Sequence, residues 1–99
     1  MSTFQELMHE DQRYLTLLSL VHMGFDGNSN MIKTALDAYG HRVSSNELES
    51  ILSWLSIFQL VELSKIGPFT KAKLTQKGQD VAEGREVVLG VRRPKAGEL

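Results

Sequence analysis

The chain has 99 residues, no cysteine, 41% hydrophobic residues and a formal net charge of -1, with a mean hydropathy of -0.18. That length suffices for one domain with its own core. The composition excludes disulfide frameworks and thiolate metal centres, and it argues against a protein built to coat nucleic acid.

The opening MSTFQELMHEDQR has no basic stretch followed by an apolar run, so it does not read as a signal peptide. No apolar stretch approaches the ~20 residues needed to span a bilayer, so no membrane association is expected. Thr3 and Glu6 form a capping box, in which a hydroxyl satisfies one orphan amide and a carboxylate returns to another. Phe4, Leu7, Met8, Leu15, Leu18 and Val21 follow at helical spacing and predict a helix to about Met23. Asp11 interrupts this stripe and marks a place for a kink. Leu17 and Leu20 lie off the main apolar line, which predicts spare apolar surface and a homodimer formed through this helix or through segment 86–91. GFDGNSN ends the helix. Asn30 or Ser29 caps a second helix with Ile32, Ala35, Leu36 and Tyr39 on one side, and Gly40 stops it.

After the turn HRV, Ser44 and Glu47 make a second capping box. Leu48, Ile51, Leu52 and Leu55 recur at i, i+3, i+4 and i+7 and predict a third helix over roughly 44–58. These four, with Leu18 and Leu36, are expected in one core. LVELSKI and FTKAKL flank Gly67-Pro68 and read as a short hairpin. Thr75 caps a fourth helix, QKGQDVAE, ended by Gly84. Gly78 inside it weakens the helix by ~1 kcal/mol relative to Ala. Residues 85–99 hold few core residues and read as a basic tail, in which EVVLGV has the makings of a strand in need of a partner. The expected organisation is a domain over 1–84 and a tail over 85–99, mostly α with a small β-hairpin.

Charge is unevenly spread. Residues 1–63 carry three cations (Arg13, Lys33, Arg42) against eight anions, whereas residues 64–99 carry eight cations against four anions. The positive field therefore belongs to the C-terminal third.

Three helices, a hairpin and one more helix, in that order, resemble the winged helix-turn-helix fold. The residues that carry the likeness are Leu36, Gly40, Ser44, the set Leu48, Leu52 and Leu55, then Leu60-Val61, and Leu74, Thr75 and Gly78 of KLTQKG. Gln59 departs from the pattern, since many such proteins have Gly there. The chain is also similar to a family of small uncharacterised proteins of Mu-like phages and prophages, from EDQRYLTLLSL through ALDAYGHRVS to LTQKGQDVAEGR and GVRRP. That resemblance implies phage origin, and so the cytoplasm of a bacterial host, but no particular chemistry.

On a wheel of 100° per residue, Asn46, Ser50, Ser53 and Ile57 lie opposite the apolar centre of the third helix, with Ser45 and Glu49 beside them. In a docked winged helix such positions reach base edges: Asn pairs with adenine, Ser with several bases and Glu with the cytosine amino group. No Arg, the common guanine reader, is present, and an ordinary solvated face fits the same residues. Phosphates would be met by Lys65, Lys71 and Lys73 around the wing, with Arg42 in the turn. Lys71 and Lys73 share a strand face, though lysines on an edge strand also block unwanted strand pairing. Arg92 and Arg93 suit either a minor-groove arm or a solubilising end. Trp54 reads as a core flank or an interface anchor, and the exposed Ile57 beside it hints at a partner surface.

His9, His22 and His41 have no metal-ligand spacing, and no catalytic constellation or phosphate-cradling glycine loop is present, so neither an enzyme nor a cofactor is expected. Two functions remain: a double-stranded DNA-binding regulator acting as a dimer, or a protein-interaction module in a phage assembly or replication complex. A basic stripe joining Arg42, Lys71, Lys73 and Arg92 would favour DNA; scattered cations would favour protein contact.

Overall fold

The computed structural model describes residues 3–98; residues 1, 2 and 99, at the ends of the expected units, lie outside it. Helix α1 (Phe4–His22) is capped by Thr3, whose side chain accepts the Glu6 N–H at 3.1 Å, and it runs unbroken past Asp11. GFDGNSN is more than a loop. It contains a short strand, β1 (Asp26–Asn28), which leads straight into α2 (Ser29–Ala38). The cap of α2 is therefore Asn28, not Ser29 or Asn30: its Oδ1 accepts the Met31 N–H at 2.9 Å. Helix α3 (Ser45–Ile57) opens with both halves of the Ser44/Glu47 capping box formed. Strands β2 (Val61–Ile66) and β3 (Phe69–Leu74) make the hairpin around Gly67-Pro68, and α4 (Gln76–Ala82) follows its Thr75 cap. The sheet is antiparallel in the order β1-β3-β2.

Helix α1 is the axis of the molecule and packs against α2, α3, α4, β1 and β3. Every residue from Tyr14 to Leu20 is buried. This overturns the expectation that Leu17 and Leu20 offer a dimer surface. Both are 0% exposed, because neighbouring elements cover α1 on the sides the main stripe leaves open. Two polar residues in this stretch are satisfied locally: Thr16 and Ser19 donate to the carbonyls of Gln12 and Leu15 at 2.8 and 2.6 Å, whereas the buried Tyr14 hydroxyl has no hydrogen-bond partner among the described residues. Leu18, Leu36, Leu48, Leu52 and Leu55 do share one core, joined by Leu60, Val61, Ala72 and Val81.

Two residues around the start of the hairpin explain motif positions. Gln59 has φ 62°, the left-handed conformation that Gly adopts without cost. Gly78 is buried, and a Cβ there would run into the Leu60 carbonyl oxygen. The glycine that weakens α4 as a helix is what lets α4 lie against the chain entering β2.

The segment after α4 forms no strand and is not a loose arm. Val91 is 6% exposed and belongs to the core. The backbone groups bond locally or to α1: Val91 N–H reaches the Val88 carbonyl, Arg92 N–H reaches the Glu10 carbonyl, and Arg13 Nη1 donates to the Gly90 carbonyl at 3.0 Å. Gly90 turns the chain at φ 102° and Val91 packs into the core, so EVVLGV does not run on as a strand.

Candidate nucleic-acid interface

Helical geometry sorts the residues of α3 by face. Leu48, Ile51, Leu52 and Leu55 point inward, while Ser45, Asn46, Ser50 and Ser53 are exposed and Ile57 is 76% exposed. The polar stripe expected from the wheel is therefore on the surface. Glu49 leaves it. Its Oε1 accepts from Thr70 Oγ1 at 2.9 Å, and the same Thr70 oxygen accepts from Lys65 Nζ at 2.9 Å. A half-buried relay thus ties α3 to both strands of the hairpin, and it holds Lys65 on the side of the wing that faces α3. On the other flank, Trp54 is half-buried against the core. The Arg13 guanidinium lies 4.1 Å from its ring centroid, and Phe58 stacks at 4.3 Å.

Arg42, Lys71, Lys73 and Arg92 do not form a basic stripe; they are scattered. Lys71 and Lys73 share the outer face of β3, as expected, but β3 is the central strand along 71–73, so edge protection does not explain them. Lys71 approaches Asp26 at 3.6 Å, and Lys73 stands in register with Asp26 on one side and Glu62 on the other. Lys65 faces the opposite way. Arg42 is almost wholly exposed and only loosely paired with Asp37, at 3.5 Å.

Arg92 is not free for a nucleic acid. It bonds Asp11 Oδ1 through Nε at 2.5 Å and Glu98 Oε2 through Nη2 at 2.8 Å, and it stacks over Tyr14 at 4.4 Å. Arg93 beside it is exposed.

Asp11 is the hub of this second cluster. Its other oxygen takes a 2.6 Å bond from His41 Nε2, so the α2–α3 turn is anchored to α1 and, through Asp11, to the C-terminal segment. Burial pushes Asp11 up, but hydrogen bonds from His41 and Arg92 outweigh it and hold the carboxyl below its ordinary value. The Arg92 hydrogen bonds draw Glu98 down to about 2. Burial, with Glu98 close by, pushes the Tyr14 phenol up to about 12.

A third grouping escaped the sequence. Ser29, Asn30 and Lys33 of α2, Ser45 and Glu49 of α3, and Phe69 at the wing tip line an open groove of about 180 Å³. Lys33 Nζ reaches Ser45 Oγ at 3.4 Å. Lys33 and Lys65 thus stand on either side of the first turn of α3. The available signal was that Lys33 is the sole cation of the second helix, but its direction depends on how α2 packs.

A three-helix core whose third helix presents a polar face, flanked by a β-hairpin, defines a winged helix-turn-helix protein. Consistent with this, F93 from STIV, a winged-helix DNA-binding protein, superposes with a TM-score of 0.61 at 20% identity over 71% of this chain and 77% of that one. The chain belongs to the family of the uncharacterised protein gp26 of Escherichia phage Mu, with which it is 40% identical over 91% of its length and 94% of the relative's. An uncharacterised protein of Haemophilus influenzae is 34% identical over 76% of this chain and 74% of that one. No family model matches the chain.

Proposed function

We propose that this phage-family protein is a regulator that binds double-stranded DNA in the cytoplasm of a bacterial host. The N-terminal half of α3 would sit in the major groove. The observation that carries the reading is the groove at the start of α3. Its first turn exposes Ser45 and Asn46, with Lys33 on the α2 side and Lys65 on the wing side. Winged-helix affinity needs phosphate contacts to position the helix and polar groups to read bases. In this reading Lys33, Arg42 and Lys65 meet phosphates, Asn46 and Ser50 face base edges, and Lys71, Lys73 and Arg93 add weaker attraction from further out.

Three phosphate contacts give log K a slope against log salt of roughly -3 per bound chain. Titration of phage DNA fragments at two salt concentrations tests this. Lys33→Glu with Lys65→Glu should nearly abolish binding to every fragment, whereas Lys71→Glu with Lys73→Glu should weaken it less. Asn46→Ala should change preference among sequences, costing on the order of 1–3 kcal/mol at one base pair. An equal loss from both lysine pairs would move the docking face outward on the wing.

The second reading, a protein-interaction module in a phage assembly or replication complex, is favoured by the scatter of Arg42, Lys71, Lys73 and Arg92, which form no basic stripe, and by the absence of any Lys or Arg from α3. Wild-type protein that binds no fragment even at low salt would establish it over the first.

A further inference from the structure

Four of the exposed large apolar residues lie at the end of α3 and in the segment after α4. Ile57 (76% exposed) and Phe58 (40%) end α3, and Phe58 stacks on Trp54. Gly90 lies so close to Trp54 that an added Cβ would sit 2.7 Å from the ring, which places its neighbour Leu89 at the same spot. Leu89 is 95% exposed, and Val87 in the same segment is 59% exposed. The segment is not held open by weakness. The Arg13–Gly90 hydrogen bond, the buried Val91 and the Arg92 ion pairs fix it on both sides of Leu89. An apolar side chain presented almost wholly to water on an anchored turn adds no packing within one chain.

We infer that Trp54, Ile57, Phe58, Val87 and Leu89 form the face on which a second copy of this chain docks about a two-fold axis. Area supports that occupant. Together these residues expose on the order of 400 Å² of apolar side chain, the size at which a patch on a monomer marks a contact surface. A standard interface takes about 800 Å² per partner and a homodimer interface is about 65% apolar, so the requirement is near 500 Å² a side. The stems of rim residues supply the difference. Shape supports it too. Beside Trp54 runs a groove of about 340 Å³ between α1 and α3, lined by His9, Gln12, Arg13, Glu47, Ser50 and Ile51. A protruding Leu89 next to a hollow on one face is what a self-complementary contact uses, each copy filling the other's groove. Charge adds a third argument. None of the five residues is ionisable, and Arg13 is spread flat over the Trp54 ring. The groove beside them adds one cation, Arg13, and one anion, Glu47, so a strongly acidic or basic partner would find no net counter-charge here, whereas a second copy needs none.

The dimer also sharpens the DNA reading: a filled groove covers Ser50, which leaves base reading to Ser45 and Asn46. Ser45 to Ile57 spans about 18 Å at 1.5 Å per residue. Two α3 helices meeting near their C-terminal ends would set their reading ends up to about 36 Å apart, close to one turn of DNA. That consequence rests on the proposed function; the dimer itself does not.

Sedimentation equilibrium without DNA, from about 1 to 100 µM, tests the inference. Wild-type protein should shift from 11.1 kDa to twice that mass. Leu89→Glu with Ile57→Glu should remain at 11.1 kDa throughout, with the thermal melt that wild type shows at concentrations where it too is a monomer. If the double variant melts early, Leu89→Glu alone decides, since a residue this exposed supports no core. A wild-type chain that stays monomeric over the whole range overturns the inference. So does a folded variant that still doubles its mass, or an assembly that grows beyond two copies. Because no DNA is present, failure to bind DNA leaves this result standing, and a monomer leaves the DNA reading to be judged by titration.

Discussion

At the scale of single residues, Gly78 inverts an expectation. On helix propensity alone, Gly78→Ala should stabilise α4 by ~1 kcal/mol. In the folded chain the new methyl meets the Leu60 carbonyl, which is backbone and cannot swing aside. The expected outcome is a net loss of about 1–3 kcal/mol, as for other overpacked sites, read as a lower urea midpoint at unchanged slope. A gain in stability would show that α4 does not lie against Leu60. The glycine was legible in KLTQKG, but its reason was not, because the neighbour that requires it belongs to another part of the chain. Leu17 and Leu20 misled for a related reason. Spacing tells which side of a helix is apolar; it does not tell whether further elements cover the other sides.

Among the elements, local chemistry carried the sequence furthest. The Thr3 cap, the Ser44/Glu47 capping box, the α3 stripe and the Gly67-Pro68 turn rest on neighbours within a few residues, and all were readable; of the expected Thr3/Glu6 box only the Thr3 half forms. Strand β1 was not, because Asp-Gly-Asn has poor strand propensity and pairs only where β3 offers an edge. The relay through Thr70 was invisible for the same reason: it joins α3, β2 and β3. Thr70 is 3% exposed, so Thr70→Val should strand the half-buried Glu49 carboxylate without its donor. A loss of about 1–3 kcal/mol is expected. Thr70→Ser, which keeps the hydroxyl, should recover most of it. If valine and serine unfold at the same urea concentration, the hydroxyl is not what holds the wing to α3.

For the whole molecule, the C-terminal segment matters more than its composition suggested. Through Arg92 and Val91 it closes over α1, and through Asp11 it shares an anchor with His41 in the α2–α3 turn. Such a clasp should be acid-sensitive. Asp11 and Glu98 both titrate below their ordinary values in the folded chain, Glu98 near 2 against 4.5. A depressed carboxylate contributes stability above its unfolded value and loses it as pH falls through the folded one. The clasp should therefore be intact at pH 6, weaken below about pH 4.5, and fade towards pH 2. Urea unfolding of wild type and Glu98→Gln across this range checks it: the difference between them should be full at the top and vanish at the bottom. A difference independent of pH would mean that Glu98 acts through packing and not through charge.

The enclosed half of α1 has a consequence for motion and for descent. Seven successive residues, Tyr14 to Leu20, have no face in water, so their amides have no local route to solvent and would exchange with deuterium only when the entire domain opens. The same enclosure leaves no position there where a charged residue is cheap and few where volume is free to change. Viral lineages that alter their surfaces to follow new operators or new partners would have to do so around this rod, keeping its shape while nearly everything that faces outward drifts.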